Sequence, residues 1–476
     1  MNKDATKKIS DHLVNRRDFV KLGGSAVALL ADGTLSQNVF AGRRGRKPKP
    51  KNILLIYTDQ QHFDTIAAGG CPHVRTPALD RIKRSGLSFT QSYSANPLCS
   101  PARSSVFSGR TSCEASVHVN GRPIFPAIPN LGQWLSEQTD YETFYAGKWH
   151  LPRTYTSKIP GFKVINTGIG GFGYLCDTAM SRACEGFISN RSKSKPFLLV
   201  ASFMQPHDIC EWLRLNMNNP GKLRYPELAD ELPELPENFE YDRNEPESTR
   251  KRRLGSEPFK GKWDKQQWRY YRWSYYRHIE NVDAEIGRVL TALERRGLMK
   301  DTLVVMTADH GEGMGHHQMV RKSSFYNEAS RVPLMFSWPG HIDGNKTDQV
   351  HLASGMDIMP TLCDYAGVKP PANMRGASLR PVLEGGRPTR EFIVSEANTN
   401  TGRMLRTENF KYIKYVDDPV EQLFDMKNDP GETRNLAANS QYASALTEHR
   451  RLLAGHEVRL DVPRVIPHAE FWRTRG

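Results

Sequence analysis

Asp59, His207, Asp309 and His310 each stand just past a continuous apolar run, and these are residue types that bind cations and carry protons. Ile53-Leu54-Leu55-Ile56-Tyr57 ends in Thr58-Asp59-Gln60-Gln61-His62. Phe197 to Phe203 runs into Gln205-Pro206-His207-Asp208, and Thr302 to Thr307 into Ala308-Asp309-His310-Gly311-Glu312. An apolar run without alternation reads as a strand buried on both faces. Residues just beyond such strands lie at the carboxyl edge of an open α/β sheet, where these folds place their ligands. There, carboxylates can hold a hard divalent cation, and a histidine titrates in the range useful for proton transfer. Turns and helix caps use the same aspartates, and a core histidine bonded to backbone is the plain alternative for each imidazole. A fourth stretch, Leu98-Cys99-Ser100-Pro101-Ala102-Arg103-Ser104 followed by Ser105-Val106-Phe107-Ser108-Gly109-Arg110, sets a cysteine beside a proline. By itself that cysteine is a buried free thiol.

The elements that must position these residues are legible at coarse grain. Tyr271, Tyr275, Ile279, Val282, Ile286, Val289 and Leu293 form one stripe at helical spacing, and Gly297 ends it. The stripe assigns the aromatics between Trp268 and Tyr276 in part to a core face, not to a carbohydrate platform. Residues 212–262 are rich in proline and charge and lack periodicity. They read as a long surface insertion, the kind of segment that shapes substrate choice. Past Gly340, Asp357 to Cys363 opens a helix expected to pack back on the first domain. Strand candidates follow at Phe392 to Ser395, Arg403 to Arg406 and Lys411 to Tyr415; the stretch Glu421 to Met426 comes after them, and then a final helix. The expected fold class is therefore α/β: a large mixed, mostly parallel sheet flanked by helices over 52–375, with a smaller antiparallel α+β subdomain over 376–476.

The chain has 476 residues and a formal net charge of +14, from 66 basic and 52 acidic side chains. That surplus favours polyanions without choosing among nucleic acid, anionic membrane and a sulfated or phosphorylated substrate. The charge is spread along the chain and no nucleic-acid fold signature is present, so nucleic acid is not an expected partner. Seven cysteines without a CxxC pair exclude a disulfide scaffold and a structural zinc site; Cys176 with Cys184 could close a short loop. Asn15-Arg16-Arg17-Asp18-Phe19-Val20-Lys21 precedes a weakly apolar run from Leu22 to Leu30, and Val39-Phe40-Ala41 offers a cleavage site. This resembles a twin-arginine export signal over 1–41, followed by a basic linker over 42–51. The run is shorter than the roughly 20 residues that span a bilayer, so no stable membrane insertion is expected. The expectation is a bacterial periplasmic or secreted protein, delivered folded by the twin-arginine export machinery.

Further motifs join the first four: Gly147-Lys148-Trp149-His150-Leu151, Lys322, Arg331-Val332-Pro333-Leu334 and Leu423-Phe424-Asp425. In this order, over residues 52–440, they resemble the type I, formylglycine-dependent sulfatases of the alkaline-phosphatase superfamily. The resemblance implies that Cys99 is oxidised to formylglycine by a cytoplasmic formylglycine-generating enzyme before export. The aldehyde's hydrate offers one hydroxyl to attack sulfur and a second to expel sulfate by regenerating the aldehyde. By the same resemblance Asp59, Gln60, Cys99, Asp309 and His310 are metal ligands, and Lys148 and Lys322 clamp the sulfate oxygens. Arg103 fixes the modified residue and neutralises its alkoxide. His150 handles the diol's proton and His207 is the general acid for the leaving oxygen.

Two departures bear on the cation. Many members have adjacent carboxylates at the first metal turn and Asp-Asn at the second, where this chain has Asp59-Gln60 and Asp309-His310. The pocket is less anionic, and an imidazole ligand suits transition metals better than calcium. Calcium is the ion the resemblance implies, with manganese or another divalent ion as the alternative. The same substitutions look like those of formylglycine-dependent phosphonate and phosphodiester hydrolases. Three readings therefore stand: an exported sulfatase acting on a sulfated polysaccharide or its oligosaccharides, a phosphodiester or phosphonate monoester hydrolase with the same nucleophile, and a non-catalytic binder of sulfated glycan with Cys99 unconverted.

Overall fold

Strand β1 (Asn52–Asp59) is buried along its whole length. Ile53, Leu55 and Tyr57 enter one core, and Leu54 and Ile56 enter another on the opposite face. The unbroken apolar run follows from that two-sided burial, since a pleated strand sends successive side chains to opposite faces. The computed structural model describes residues 48–460 apart from 169–170, 193, 219–222, 224, 388–389, 398–400 and 417. The twin-arginine segment and residues 42–47 of the basic linker lie outside the described residues.

From β1 the chain continues through α1 (Pro77–Arg84), β2 (Leu87–Phe89), β3 (Ser92–Tyr93), α2 (Cys99–Ser108) and α3 (Leu131–Gln138) to β4 (Glu142–Gly147) and β5 (Lys163–Asn166). Helix α4 (Gly173–Asn190) precedes β6 (Phe197–Pro206), and the short helices α5 (Ile209–Asn216), α6 (Glu247–Leu254) and α7 (Glu257–Lys260) lead into α8 (Lys265–Arg295). Then come β7 (Thr302–Ala308), α9 (Asn327–Ser330), β8 (Leu334–Ser337), β9 (Lys346–Asp348), β10 (Ala353–Ser354), α10 (Ile358–Ala366) and α11 (Arg380–Leu383). The last part is β11 (Phe392–Ala397), β12 (Gly402–Thr407), β13 (Phe410–Tyr415), β14 (Gln422–Asp425) and α12 (Ala443–Glu457).

Eight strands form one sheet in the order β5-β4-β6-β1-β7-β8-β2-β9, parallel from β5 to β7, with β8 antiparallel to both of its neighbours. Helices cover both faces, as a mostly parallel sheet requires. The lower half of α8 packs Val282, Ile286, Val289 and Leu293 beneath the sheet with α1 and α4. Each such buried aliphatic side chain contributes about 1.5–3 kcal/mol. The upper half carries Trp268, Tyr271 and Tyr275 into a separate aromatic cluster with Trp263, so these aromatics are core. Gly297, at φ +63°, turns the chain out of the helix.

The four-stranded antiparallel sheet β11-β12-β13-β14 carries α12 on one face. Its other face meets Tyr93, Phe325 and Tyr326 of the main body. Cys176 and Cys184 lie on α4, and all seven cysteines are free thiols. No helix among the described residues is long and apolar enough to cross a membrane.

Candidate active site

Four neighbouring parallel strands, β4-β6-β1-β7, end at one edge, and each delivers residues there. Lys148 and His150 follow β4, His207 follows β6, Asp59 and Gln60 close β1, and Asp309 and His310 follow β7. At the end of β4 the backbone turns at Gly147 (φ +95°), where a Cβ would stand 2.0 Å from the Ser202 carbonyl oxygen. Only glycine allows that approach, and Lys148 N–H then bonds the same carbonyl at 3.0 Å. Cys99 comes from a separate element, the first residue of α2, whose ten residues are all buried.

The Cys99 Sγ lies 3.2 Å from His310 Nε2, 3.1 Å from Lys322 Nζ and 3.8 Å from Asp59 Oδ1. His150 and His207 also stand beside the thiol, whose presence opposes the downward effect of burial on each ring. Arg103, one turn further along α2, reaches under the pocket. Its Nε donates to Asp309 Oδ2 at 3.1 Å and its Nη2 to Asp59 Oδ2 at 3.0 Å. Its Nη1 donates to the Lys148 carbonyl at 2.8 Å and to Ser202 Oγ at 2.9 Å. Lys148 Nζ pairs with Asp59 Oδ2 at 2.6 Å. Gln60 Oε1 accepts from Lys322 Nζ at 2.8 Å, while its Nε2 donates to Glu312 and to Cys210 Sγ. Every predicted site residue is thus in one pocket. Gln60 stands one hydrogen bond from the thiol, its oxygen turned to Lys322.

Burial pushes the Asp59 carboxyl up, but Lys148, His207 and Arg103 outweigh it and hold the group well below the usual carboxylate range. Burial and the neighbouring Asp59 push Asp309 up to about 7. Burial and Asp59 likewise oppose a Cys99 thiolate, yet Lys148, Lys322 and His310 lower its pKa well below the ordinary thiol value. Burial, with Lys322 and Lys148 adding to it, brings His207 down to about 4.

One ligand atom each from Asp59, Cys99, Asp309 and His310 lies within 4.8 Å of the others, all buried. A cation shared by two carboxylates relieves the repulsion between them. His310 Nδ1 faces the Gly311 carbonyl at 2.9 Å, a bond that would leave Nε2 available to a cation in the cluster. The donor set of two carboxylates, an imidazole and the Cys99 side chain therefore fits a divalent ion.

Several residues here escaped sequence reasoning. Ser202 sits inside the β6 apolar run and gives Arg103 an acceptor. Glu312 accepts from Gln60, from the Tyr271 hydroxyl and from Arg321 N–H. Tyr275, from the α8 stripe, donates to the Gln60 carbonyl at 2.6 Å. The quartet Asp309-His310-Gly311-Glu312 was the available signal for Glu312; nothing local marks the other two.

Residues 51–368 match the sulfatase family model, and residues 315–458 match the model of the N-sulphoglucosamine sulphohydrolase C-terminal region. The chain is 32% identical over 450 residues to the Delta 4,5-hexuronate-2-O-sulfatase of Bacteroides thetaiotaomicron, covering 87% of this chain and 90% of that protein. A solved 2-O GAG sulfatase superposes with a TM-score of 0.78 at 31% identity, over 86% of this chain and 92% of that one. A phosphonate monoester hydrolase of Agrobacterium radiobacter shares the fold, with a TM-score of 0.72 at 23% identity over 86% of this chain and 96% of that one. The chain belongs to the type I sulfatase family of the alkaline-phosphatase superfamily. It is a sulfuric ester hydrolase. The family implies a formylglycine and a divalent metal, and the buried Asp59, Cys99, Asp309 and His310 fit that requirement.

Proposed function

We propose that this is an exported sulfatase that removes sulfate esters from a sulfated polysaccharide or its oligosaccharides, using formylglycine made from Cys99. The observation that carries the reading is the convergence on one buried thiol of Lys322, His150, His207 and His310, above the Asp59–Arg103–Asp309 bridge. The sugar class rests on the hexuronate and GAG sulfatases that this chain resembles.

Asp59, Gln60, Asp309 and His310, with the modified residue 99, would hold the ion. Bound there, a divalent cation lowers the pKa of the attacking hydroxyl and polarises a sulfate oxygen. The hydrate of formylglycine supplies the attacking hydroxyl and a second one whose loss of a proton expels sulfate. Lys148 and Lys322 bind and orient the sulfate oxygens, and both are already aimed at the pocket floor. Arg103 holds Asp59 and Asp309 in register and places positive charge beneath residue 99. His150 takes the proton of the hydrate, while the His207 ring carries a proton to the leaving oxygen. The charge of a bound sulfate ester offsets the two lysines that depress His207, which favours its protonated form in the substrate complex. Asp309-His310 and the lone carboxylate at Asp59-Gln60 favour manganese or a similar ion alongside calcium.

Mass spectrometry of the Cys99 peptide from the native host tests the nucleophile: an aldehyde at residue 99 is expected, and an unmodified thiol there refutes the catalytic route. Comparing kcat/KM on aryl sulfate and aryl phosphonate esters tests the chemistry. Preference for the phosphonate would assign the chain to the phosphonate hydrolases instead. A mature periplasmic protein beginning after Ala41 is expected if the twin-arginine segment is the export signal.

A further inference from the structure

Arg153, three residues past His150, is exposed, and its side chain makes no ion pair or hydrogen bond among the described residues. The deeper cations of the pocket are all committed: Arg103 to Asp59 and Asp309, Lys148 to Asp59, and Lys322 to Gln60 and Cys99. Asp208, next to His207, and Asp177, in the first turns of α4, are turned to N–H groups instead of to Arg153. Asp208 accepts from Gly173 N–H, Tyr174 N–H and the Gln205 amide, and Asp177 from Met204 N–H and Gln205 N–H.

The turn that carries this free guanidinium is anchored beside the nucleophile. Ser100, the residue after Cys99, donates from Oγ to the His150 carbonyl at 2.6 Å. His150 N–H donates to the Arg153 carbonyl at 2.8 Å, and Trp149 N–H to the Thr154 carbonyl at 2.9 Å. With ordinary covalent lengths the His150–Arg153 bond keeps the two Cα atoms within about 7 Å of each other. An arginine stem is long enough to bring its guanidinium back across that gap, toward the ring that stands beside the thiol. Trp149, packed against Phe107 of α2 at 5.1 Å between ring centroids, fixes the turn, so binding has only a side chain to order.

The same rim offers an apolar face. Asp208 ties the first turn of α4 to the His207 segment, and there the Phe172 and Tyr174 rings stack at 5.5 Å, with Tyr174 60% exposed. Tyr155, two residues past Arg153, has a hydroxyl whose pKa is raised by burial and by the nearby Cys176, Asp177 and Asp208. The Arg153 segment therefore runs alongside that turn of α4. Exposed aromatic rings and an unpaired guanidinium at one rim suit a sugar that carries an acidic group.

We propose that Arg153 is a specificity-determining residue, which binds a carboxylate or a second sulfate on the saccharide while the scissile ester sits at residue 99. The inference rests on the sulfatase reading above. A guanidinium meets either anion through two parallel N–H bonds. A saccharide without a further acidic group loses this contact and keeps the clamp on its ester. The pocket therefore prefers the more acidic of two otherwise equal ligands.

The test uses the full chain with Cys99→Ala, so that binding is read without turnover, and compares it with the same chain carrying Arg153→Gln or Arg153→Lys. The probes are a monosulfated uronate–hexosamine disaccharide, its carboxyl methyl ester and its disulfated form, each titrated by calorimetry. The chain with Arg153 should prefer the free acid over the ester, or the disulfated probe over the monosulfated one. Arg153→Gln should shrink that preference about 10-fold, and Arg153→Lys should keep part of it. Collapse of the first preference identifies the carboxylate as the bound group, and collapse of the second identifies the sulfate. A preference of the same size in Arg153→Gln, including the case where all three probes weaken equally, overturns the assignment. So does binding of the probes by the Arg153 chain with neither preference. Failure of that chain to bind any of the three would instead refute the saccharide sulfatase reading on which the assignment rests.

Discussion

Arg103 is the residue on which the pocket's geometry converges, because a planar guanidinium can bond two carboxylates, a carbonyl and a hydroxyl from fixed directions. An ammonium cannot span them. Arg103→Lys should therefore cut kcat by about 10²–10³-fold and weaken retention of the divalent ion. Steady-state kinetics and metal content after dialysis check this, and a variant with full metal and near-normal kcat would refute it. Glu312 acts through its neighbour. As the acceptor of three donors it sets which end of the Gln60 amide faces Lys322. In Glu312→Gln one of those donors meets another donor, and relief by flipping Gln60 turns N–H toward Lys322. The expected result is a 10–100-fold lower kcat, of order what outer-shell losses cost, with an unchanged thermal midpoint. Apart from Gln60 and Cys99, the motif residues were legible because each is a charged or imidazole group in a short pattern. Ser202 and Tyr275 were not, because their partners are about 100 and 215 residues away.

At the scale of elements, α1 shows how one helix steadies another. Pro77 at its start has no N–H to cap, and the next two donors, Ala78 and Leu79, bond the Asp283 carboxylate of α8 at 3.0 and 2.8 Å. Burial pushes Asp283 up to about 6, against the downward pull of the Leu79 and Ala78 N–H groups. Its ordinary value is about 3.9, so the native state holds a proton that the unfolded chain has released. This contribution to stability is complete below the ordinary value and is lost as pH rises through about 6. Asp283→Asn does not titrate. Relative to the parent, its stability should rise between pH 4 and pH 7.5 by on the order of 2 kcal/mol, read as a shift in denaturant midpoint. A pH-independent difference would refute this. The strands β1, β6 and β7 were readable because burial on both faces leaves a continuous apolar run. Helix α2 carried no such mark, since all ten of its residues are buried and five are Ser or Cys. The insertion at 212–262 lacked periodicity because its helices α6 and α7 are held by single tertiary anchors such as Arg253, not by an apolar face.

For the whole molecule, net charge and topology matter most. A formal charge of +14 attracts a polyanion over distances that salt screens. Raising salt from about 50 to about 200 mM should lower kcat/KM on a sulfated polymer several-fold while changing aryl sulfate turnover little. Equal salt sensitivity for both would argue that the surplus charge has no part in capture. The pocket itself is drawn from the length of the chain, because β1 pairs with β6 and β7 and not with its near neighbours in sequence. The ribosome therefore delivers Cys99 long before it delivers the strand that shuts it in. In the finished fold this thiol is 1% exposed, sealed by groups that follow β7. Roughly 200 residues of synthesis separate the two events, on the order of 10–40 s at ordinary elongation rates. The topology thus acts as a clock, and the interval in which another protein can touch Cys99 is set by how far away in the gene its lid is encoded.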